Sequence, residues 1–318
     1  VVWAHGTTGV ADKCAPSRQG LGGNEVLLKA LLASGYVVVA PDYEGLGEPS
    51  EQDAHPFLNV KSEAYSITDA VVATRAYLTS LNKKTNGQWL AVGHSQGGQA
   101  VLGAAQYASR AKLDYKGTVA VAPASNLALI LAGGENQANN EPDPIKKINI
   151  LAPLDTFTAL ITAGLRNQYP NLKFTDVFNS PTDLIAATAE TSSQNSVCYQ
   201  ALGQNLGNAM GAYLNANKTL EGYPRTKANF MSIPSINSFL TTSSQPLQKK
   251  VTTPIIIYQG ILDQTVPKQI TDFLVSSAQS VGTAIPSSNY RVGEWDHTTA
   301  YSSNIGNIVQ DVNVLMPS

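Results

Sequence analysis

Residues Trp89-Leu90-Ala91-Val92-Gly93-His94-Ser95-Gln96-Gly97-Gly98 constrain this chain more than any other stretch. An apolar run of strand character drives into Gly-X-Ser-X-Gly, and Gly98-Gln99-Ala100-Val101-Leu102-Gly103-Ala104-Ala105 continues with small and apolar residues at helical spacing. A strand, a sharp turn and a helix force the central residue into a strained conformation. Side chains two before and two after it would collide, so Gly93 and Gly97 flank Ser95. The Ser95 hydroxyl is presented at the tip, beside the positive end of the helix dipole and the free N–H of Gln96, which can meet a developing oxyanion. The pentapeptide alone also occurs in plain structural turns; the flanking strand and helix favour a nucleophile.

The elements around this elbow alternate as in a doubly wound, mostly parallel α/β sheet, with Ser95 at the carboxyl end of a strand. Val1-Val2-Trp3-Ala4 reads as a strand already under way, so either a segment precedes it or it is an early member of the sheet. The His5-Gly6 pair at its end resembles the oxyanion loop of serine hydrolases, with Thr7 or Thr8 supplying a backbone N–H. A helix is expected over 22–34, with Val26, Leu27, Ala30 and Leu31 inward, and then a strand over 36–40 buried on both faces. Asp42 and Glu44 follow in a turn-rich loop and are read as structuring it. An amphipathic helix is expected over 62–81, with Ala70, Val71, Thr74, Ala76, Tyr77 and Leu81 facing the core. After a strand over 117–122 the alternation breaks. Residues 124–250 show helical stretches near 127–131, 154–165, 182–188 and 204–216 and no convincing strand, and are read as a helical lid or cap. Strands near 254–260 and 290–292 and helices over 269–281 and 301–315 then complete an α/β-hydrolase core made of 1–123 and 251–318.

Bulk properties exclude some partners. Lys plus Arg number 21 against 23 Asp plus Glu, and the net charge of −2 gives no electrostatic reason to expect nucleic acid. Charged residues make up 14%, below the ordinary ~25%. Uncharged polar residues must therefore cover much of the surface, which mildly favours secretion. No apolar run is expected to reach membrane-spanning length, and no positively charged leader precedes an apolar segment, so any signal peptide has been removed or was never there. Cys14 and Cys198 lack metal-ligand spacing and read equally as two buried thiols or one long-range disulfide. No metal or cofactor is expected.

A serine nucleophile needs a base, and the base needs a carboxylate to fix its tautomer. Of four histidines, His5 lies in the oxyanion turn, His55 in an upstream loop, and His94 points away from Ser95 by strand and turn geometry. His297 alone lies downstream, in the loop after the last strand. Asp263 follows a buried strand by a few residues, on the same sheet edge as Ser95. Asp296 and Glu294 are its rivals, though side chains so near in sequence rarely reach back to Nδ1 of the histidine. Asp176 and Asp183 lie in the insertion. The order Ser95, Asp263, His297 is that of an α/β-hydrolase.

Together, His5-Gly6-Thr7-Thr8-Gly9, Cys14-Ala15-Pro16-Ser17, the run from Gly35 to Gly45, Ser62-Glu63-Ala64-Tyr65 and Gly93-His94-Ser95-Gln96-Gly97-Gly98 resemble the secretory lipase family. The likeness extends to the Asp263 and Trp295-Asp296-His297 loops. It implies secreted hydrolysis of carboxylic esters, such as acylglycerols, by a Ser-Asp-His triad beneath a large helical lid. It also implies a Cys14–Cys198 disulfide, hence an oxidising extracellular or periplasmic compartment, transient contact of the lid with a lipid interface, and a role for Asn24 as an oxyanion donor. The family carries substantial sequence before the first strand seen here. Ala128-Leu129-Ile130-Leu131 and Leu160-Ile161 are expected either to line an acyl pocket or to pack as helix core. The alternatives are a short-chain, feruloyl or polyester esterase or a peptidase on the same fold, or a binding module without catalysis.

Overall fold

The computed structural model describes residues 1–49, 54–190 and 195–317. Its core is a five-stranded parallel sheet of β1 (Val2–Ala4), β2 (Gln88–His94), β3 (Asp114–Val121), β4 (Ile255–Gly260) and β5 (Tyr290–Gly293), in that spatial order. Strand side chains alternate between two apolar layers, as a parallel sheet covered on both faces requires. The longer helices are, in chain order, α1 (Glu25–Ala33), α2 (Val60–Ser80), α3 (Gln96–Tyr107), α4 (Leu127–Asn140), α5 (Pro144–Leu165), α6 (Tyr199–Asn217), α7 (Lys268–Ser280) and α8 (Ile305–Leu315). Trp89, Ala91, Ile255 and Ile257 pack with α2, α3 and α7 through Ile67, Val101, Leu102 and Leu274. Leu90, Val92, Ile256 and Tyr258 pack with α1 and α8 through Leu27, Leu31, Ile308 and Val312.

A third apolar cluster lies outside these two layers. Leu127 and Leu131 of α4, Leu151, Leu160 and Ile161 of α5, and Leu202, Leu206 and Met210 of α6 form much of it, and Val10, Ala54, Phe57 and Leu58 join it from outside the 124–250 segment. Within it Arg225 forks onto Asp155 (2.9 and 2.5 Å) and Glu135 (3.0 and 2.8 Å). Burial raises the Asp155 pKa to about 6 against the pull of Arg225. Two links fasten the start of α6 to the core: the Cys14–Cys198 disulfide and the Tyr199 N–H donating to the Thr8 carbonyl at 2.9 Å.

Several expectations change. Residues 36–40 do not form a strand buried on both faces. Val39 makes a single parallel bridge to Val2, bonded to Val1 and Trp3, beside β1, and Val37 is 41% exposed. An apolar run signals burial, but nothing local says that only one neighbour will pair with it. Val26 of α1 is exposed, and Leu28 takes an inward place. On α2 the buried residues are Val60, Glu63, Ala64, Ile67, Thr68 and Val71, while Tyr77 and Leu81 are exposed. The final helix breaks after Thr299–Ser302 and resumes as α8. Finally, α5, with 22 residues, is long and apolar enough by length and composition to cross a membrane, contrary to the sequence expectation. It is mostly buried against its neighbours in the third cluster.

Candidate active site

Ser95 sits between β2 and α3 with φ 58° and ψ −119°, the strained elbow conformation. The glycines around it are sterically required. A Cβ on Gly97 would stand 1.9 Å from the Ala4 carbonyl oxygen, and one on Gly93 would stand 2.2 Å from the Gly97 oxygen. The Ser95 N–H donates to the Val121 carbonyl at 2.9 Å, tying the elbow to the end of β3. Gln96 is the first residue of α3, so its N–H has no intrahelical acceptor.

The loops after β4 and β5 converge on this serine. His297 Nε2 lies 2.9 Å from Ser95 Oγ, and its Nδ1 lies 2.7 Å from Asp263 Oδ2. The Asp263 side chain is fully buried. Its Oδ1 accepts the N–H groups of Thr265 at 2.9 Å and Val266 at 2.8 Å. Gln259, on β4, braces this loop: its Nε2 donates to the Val266 carbonyl at 2.9 Å, and its Oε1 accepts from Thr271 at 2.6 Å. The rival Asp296 is exposed and caps its own turn. Its Oδ1 accepts from the N–H groups of Thr298 and Thr299 and from the Thr299 hydroxyl, which lowers its pKa. Glu294 is exposed, Asp176 accepts from the N–H of Lys173, and Asp183 is buried in the helical cluster. None of these three is bonded to His297.

The other histidines are spoken for. His5 is buried, with ring nitrogens 2.7 Å from the Gly6 carbonyl and 3.1 Å from that of Asp42; burial lowers its pKa to about 4. His94 turns away from Ser95, as expected, and its Nε2 lies 2.8 Å from the His297 carbonyl. Burial, and then the neighbouring His297, lower its pKa to about 3. His55 lies with Glu63 and the Gln96 side chain in a fully enclosed polar group that sequence reasoning missed. Its only sequence signal is the Ser62-Glu63-Ala64-Tyr65 run, whose Glu63 faces inward beside Val60, Ala64 and Ile67.

Thr7, Ser95 and Gln96 line one narrow cavity of about 40 Å³. The rest of its wall is almost wholly apolar: Phe57, Leu58, Ala124, Leu127, Ile130, Leu131, Phe157, Ile161 and Val266, with Thr265. Of the expected pocket residues, Ile130, Leu131 and Ile161 are in this wall. Leu160 is helix core, while Ala128 and Leu129 border a separate surface groove. Thr8 is outside the lining and holds Tyr199 through its carbonyl. Asn24 is outside it too: its side chain donates to the Leu21 carbonyl at 2.6 Å, closing the turn before α1. Among the described residues, no group of three His, Cys, Asp or Glu is arranged to hold a metal ion.

A family model described as "Secretory lipase" matches residues 20–300. Solved structures share the fold. A protein from Legionella pneumophila superposes with a TM-score of 0.70 at 18% identity, covering 100% of this chain and 80% of that one. The rice cell wall degrading esterase LipA from Xanthomonas oryzae gives a TM-score of 0.67 at 19% identity, covering 98% and 80%. Candida antarctica lipase A in its closed state gives 0.66 at 17% identity, covering 100% and 71%. No curated protein matches by sequence. The fold is therefore that of α/β-hydrolase esterases and lipases.

Proposed function

This chain belongs to the secretory lipase family, and from that premise we propose that it is a serine hydrolase of carboxylic esters working through an acyl-enzyme. The observation that carries the reading is the unbroken hydrogen-bonded line Ser95–His297–Asp263, at 2.9 and 2.7 Å. Ser95 Oγ attacks the ester carbonyl carbon as His297 Nε2 takes its proton. Asp263 holds Nδ1–H and stabilises the imidazolium. The carbonyl oxygen becomes an oxyanion held by the N–H groups of Gln96 and Thr7. Collapse breaks the bond to the alkoxy oxygen, which leaves as alcohol with the proton from Nε2. Water, deprotonated by His297, then attacks the acyl carbon and releases the acid and free Ser95. These steps use only groups of the chain and water.

Residues 1–123 and 251–318 serve as the catalytic core and 124–250 as the lid. The cavity over Ser95 holds about 40 Å³, far below the ~300–1,000 Å³ of sites that enclose organic ligands. A long acyl chain therefore enters only when α4 and α5 part from the Phe57–Leu58 segment. Leu129, Ile145 and Leu184, exposed by half or more on the lid, are the side chains that would meet a lipid interface. The same narrowness supports a second reading, a short-acyl esterase whose lid stays in place. Secretion accords with the disulfide and with the family.

A fluorophosphonate probe should label Ser95 in the wild type and not in His297→Ala; equal labelling of both removes His297 as base. Nitrophenyl esters from acetate to palmitate, with and without vesicles, separate the readings. Hydrolysis confined to acetate and butyrate leaves the short-acyl esterase.

A further inference from the structure

Gln96 has two exposures to the chemistry: its N–H meets the oxyanion under the reading above, and its side chain is locked in place beneath. That side chain is 1% exposed, and its Nε2 donates to Glu63 Oε1 at 2.7 Å and to His55 Nε2 at 2.8 Å. The His55 tautomer follows from its other nitrogen. Nδ1 lies 2.7 Å from the Glu44 carbonyl, which can only accept, so Nδ1 carries the proton and Nε2 offers its lone pair to Gln96. Both amide hydrogens of Gln96 are thus committed, which leaves the side chain one orientation. Glu63 Oε1 also accepts the Leu58 N–H at 3.1 Å.

The group reaches the other half of the oxyanion hole. His55 stacks on Tyr43, with ring centroids 5.5 Å apart, and Tyr43 stacks on His5 at 4.2 Å. The Tyr43 hydroxyl donates to the His5 carbonyl at 2.9 Å, two residues before Thr7. One buried column therefore runs from the Gln96 side chain to the loop that carries Thr7.

This column is expensive as mere packing. Glu63 is 0% exposed and burial raises its pKa, yet its Oε2 and the Gln96 Oε1 have no hydrogen-bond partner among the described residues. Apolar side chains of equal volume would fill the space without stranding two polar atoms. We propose that Glu63 is a positioning residue: through Gln96, and with His55 and Tyr43, it fixes the two N–H donors of the oxyanion hole. The proposal rests on the serine-hydrolase reading and adds a device to it.

The test compares Glu63→Leu with Glu63→Gln. Leu fills the space but cannot accept from Gln96; Gln keeps an acceptor oxygen at the Oε1 position. For a nitrophenyl butyrate substrate, Glu63→Leu should lower kcat by about 10- to 100-fold, less than the ~100- to 1,000-fold of losing an oxyanion donor outright. KM should stay within about threefold, since the ground-state ester uses the hole little. The affinity for an alkylboronic acid, whose tetrahedral Ser95 adduct places an oxygen in the hole, should fall by the same factor as kcat. Glu63→Gln should remain within about threefold of wild type on all three measures. The proposal is overturned if kcat and boronate affinity of Glu63→Leu stay within threefold of wild type, or if Glu63→Gln loses as much as Glu63→Leu. Should Glu63→Leu not fold, Gln96→Met breaks the clamp from its other end while keeping the N–H, and the same two criteria apply to it. Failure of wild-type Ser95 to react with a fluorophosphonate is a separate result and overturns the underlying reading.

Discussion

His94, the residue before the nucleophile, donates its Nε2–H to the main-chain carbonyl of His297 at 2.8 Å. The elbow thus holds the backbone on which the proposed base sits, and the two imidazole rings lie 4.8 Å apart. Tyr301 also stacks on His94, at 5.4 Å. We predict that His94→Ala lowers kcat by about tenfold, because a His297 displaced by a fraction of an ångström loses alignment with Ser95 Oγ. His94→Gln, whose amide N–H can reach the same carbonyl, should recover most of that loss. Steady-state kinetics on one soluble ester decide it; an Ala variant as fast as wild type refutes the role.

Asp263→Asn should leave the fold intact and lower kcat by about 10³- to 10⁴-fold at neutral pH. Asparagine would tend to offer an N–H to Nδ1, favouring the tautomer with Nε2 protonated, which cannot take the Ser95 proton. Asp296→Asn, which touches only the Thr298–Thr299 turn, should stay within about threefold. Reversal of this ranking in kcat would make Asp296 the acid.

Acid should destabilise the fold through buried imidazoles. The pKa of His5 is lowered from 6.5 to about 4 and that of His94 from 6.5 to about 3, by burial in both. A depressed histidine binds fewer protons folded than unfolded. Stability is thus fully present above pH 6.5 and lost as pH falls toward 4. Each site would cost on the order of 2 kcal/mol at pH 4.5. Denaturant melts between pH 4.5 and 8 should show this slope, and His94→Gln should flatten it. A flat profile in wild type counts against neutral burial of both rings.

The elbow and the residues around it were legible because their signals are local or chemical. Gly93 and Gly97 announce a turn that no larger side chain fits, and four histidines leave one downstream of Ser95. Asp263 stands out by its place in the loop a few residues after a buried strand. What escaped depends on residues distant in sequence. Glu63 is buried because Gln96 and His55, 33 residues after it and eight before, meet it in space, and helical periodicity counts a carboxylate as surface. The single bridge of 36–40 to β1 likewise depends on a partner far from it in the chain. Ile130 and Ile161 carry no local mark that they face a cavity while Leu160 faces a core.

Removing the disulfide should destabilise strongly. Cys14 and Cys198 close a loop with a sequence separation of 184, and a cross-link over so long a loop is worth about 3–5 kcal/mol. The Cys14→Ser, Cys198→Ser double variant should show that loss in guanidinium unfolding. A variant as stable as wild type would mean that the Thr8–Tyr199 bond and the surrounding packing suffice.

The attachment of α6 also determines where this protein can be cut and recombined. Thr8 and Cys14 follow Thr7 in the chain, while Cys198 and Tyr199 begin α6, and the four are joined pairwise. A chimaera that takes residues 124–250 from a relative would install a foreign anchor against the native segment that carries Thr7 and Thr8. The unit of exchange is therefore residues 124–250 together with residues 5–17. Libraries that shuffle the two as one block should retain activity more often than those that shuffle 124–250 alone.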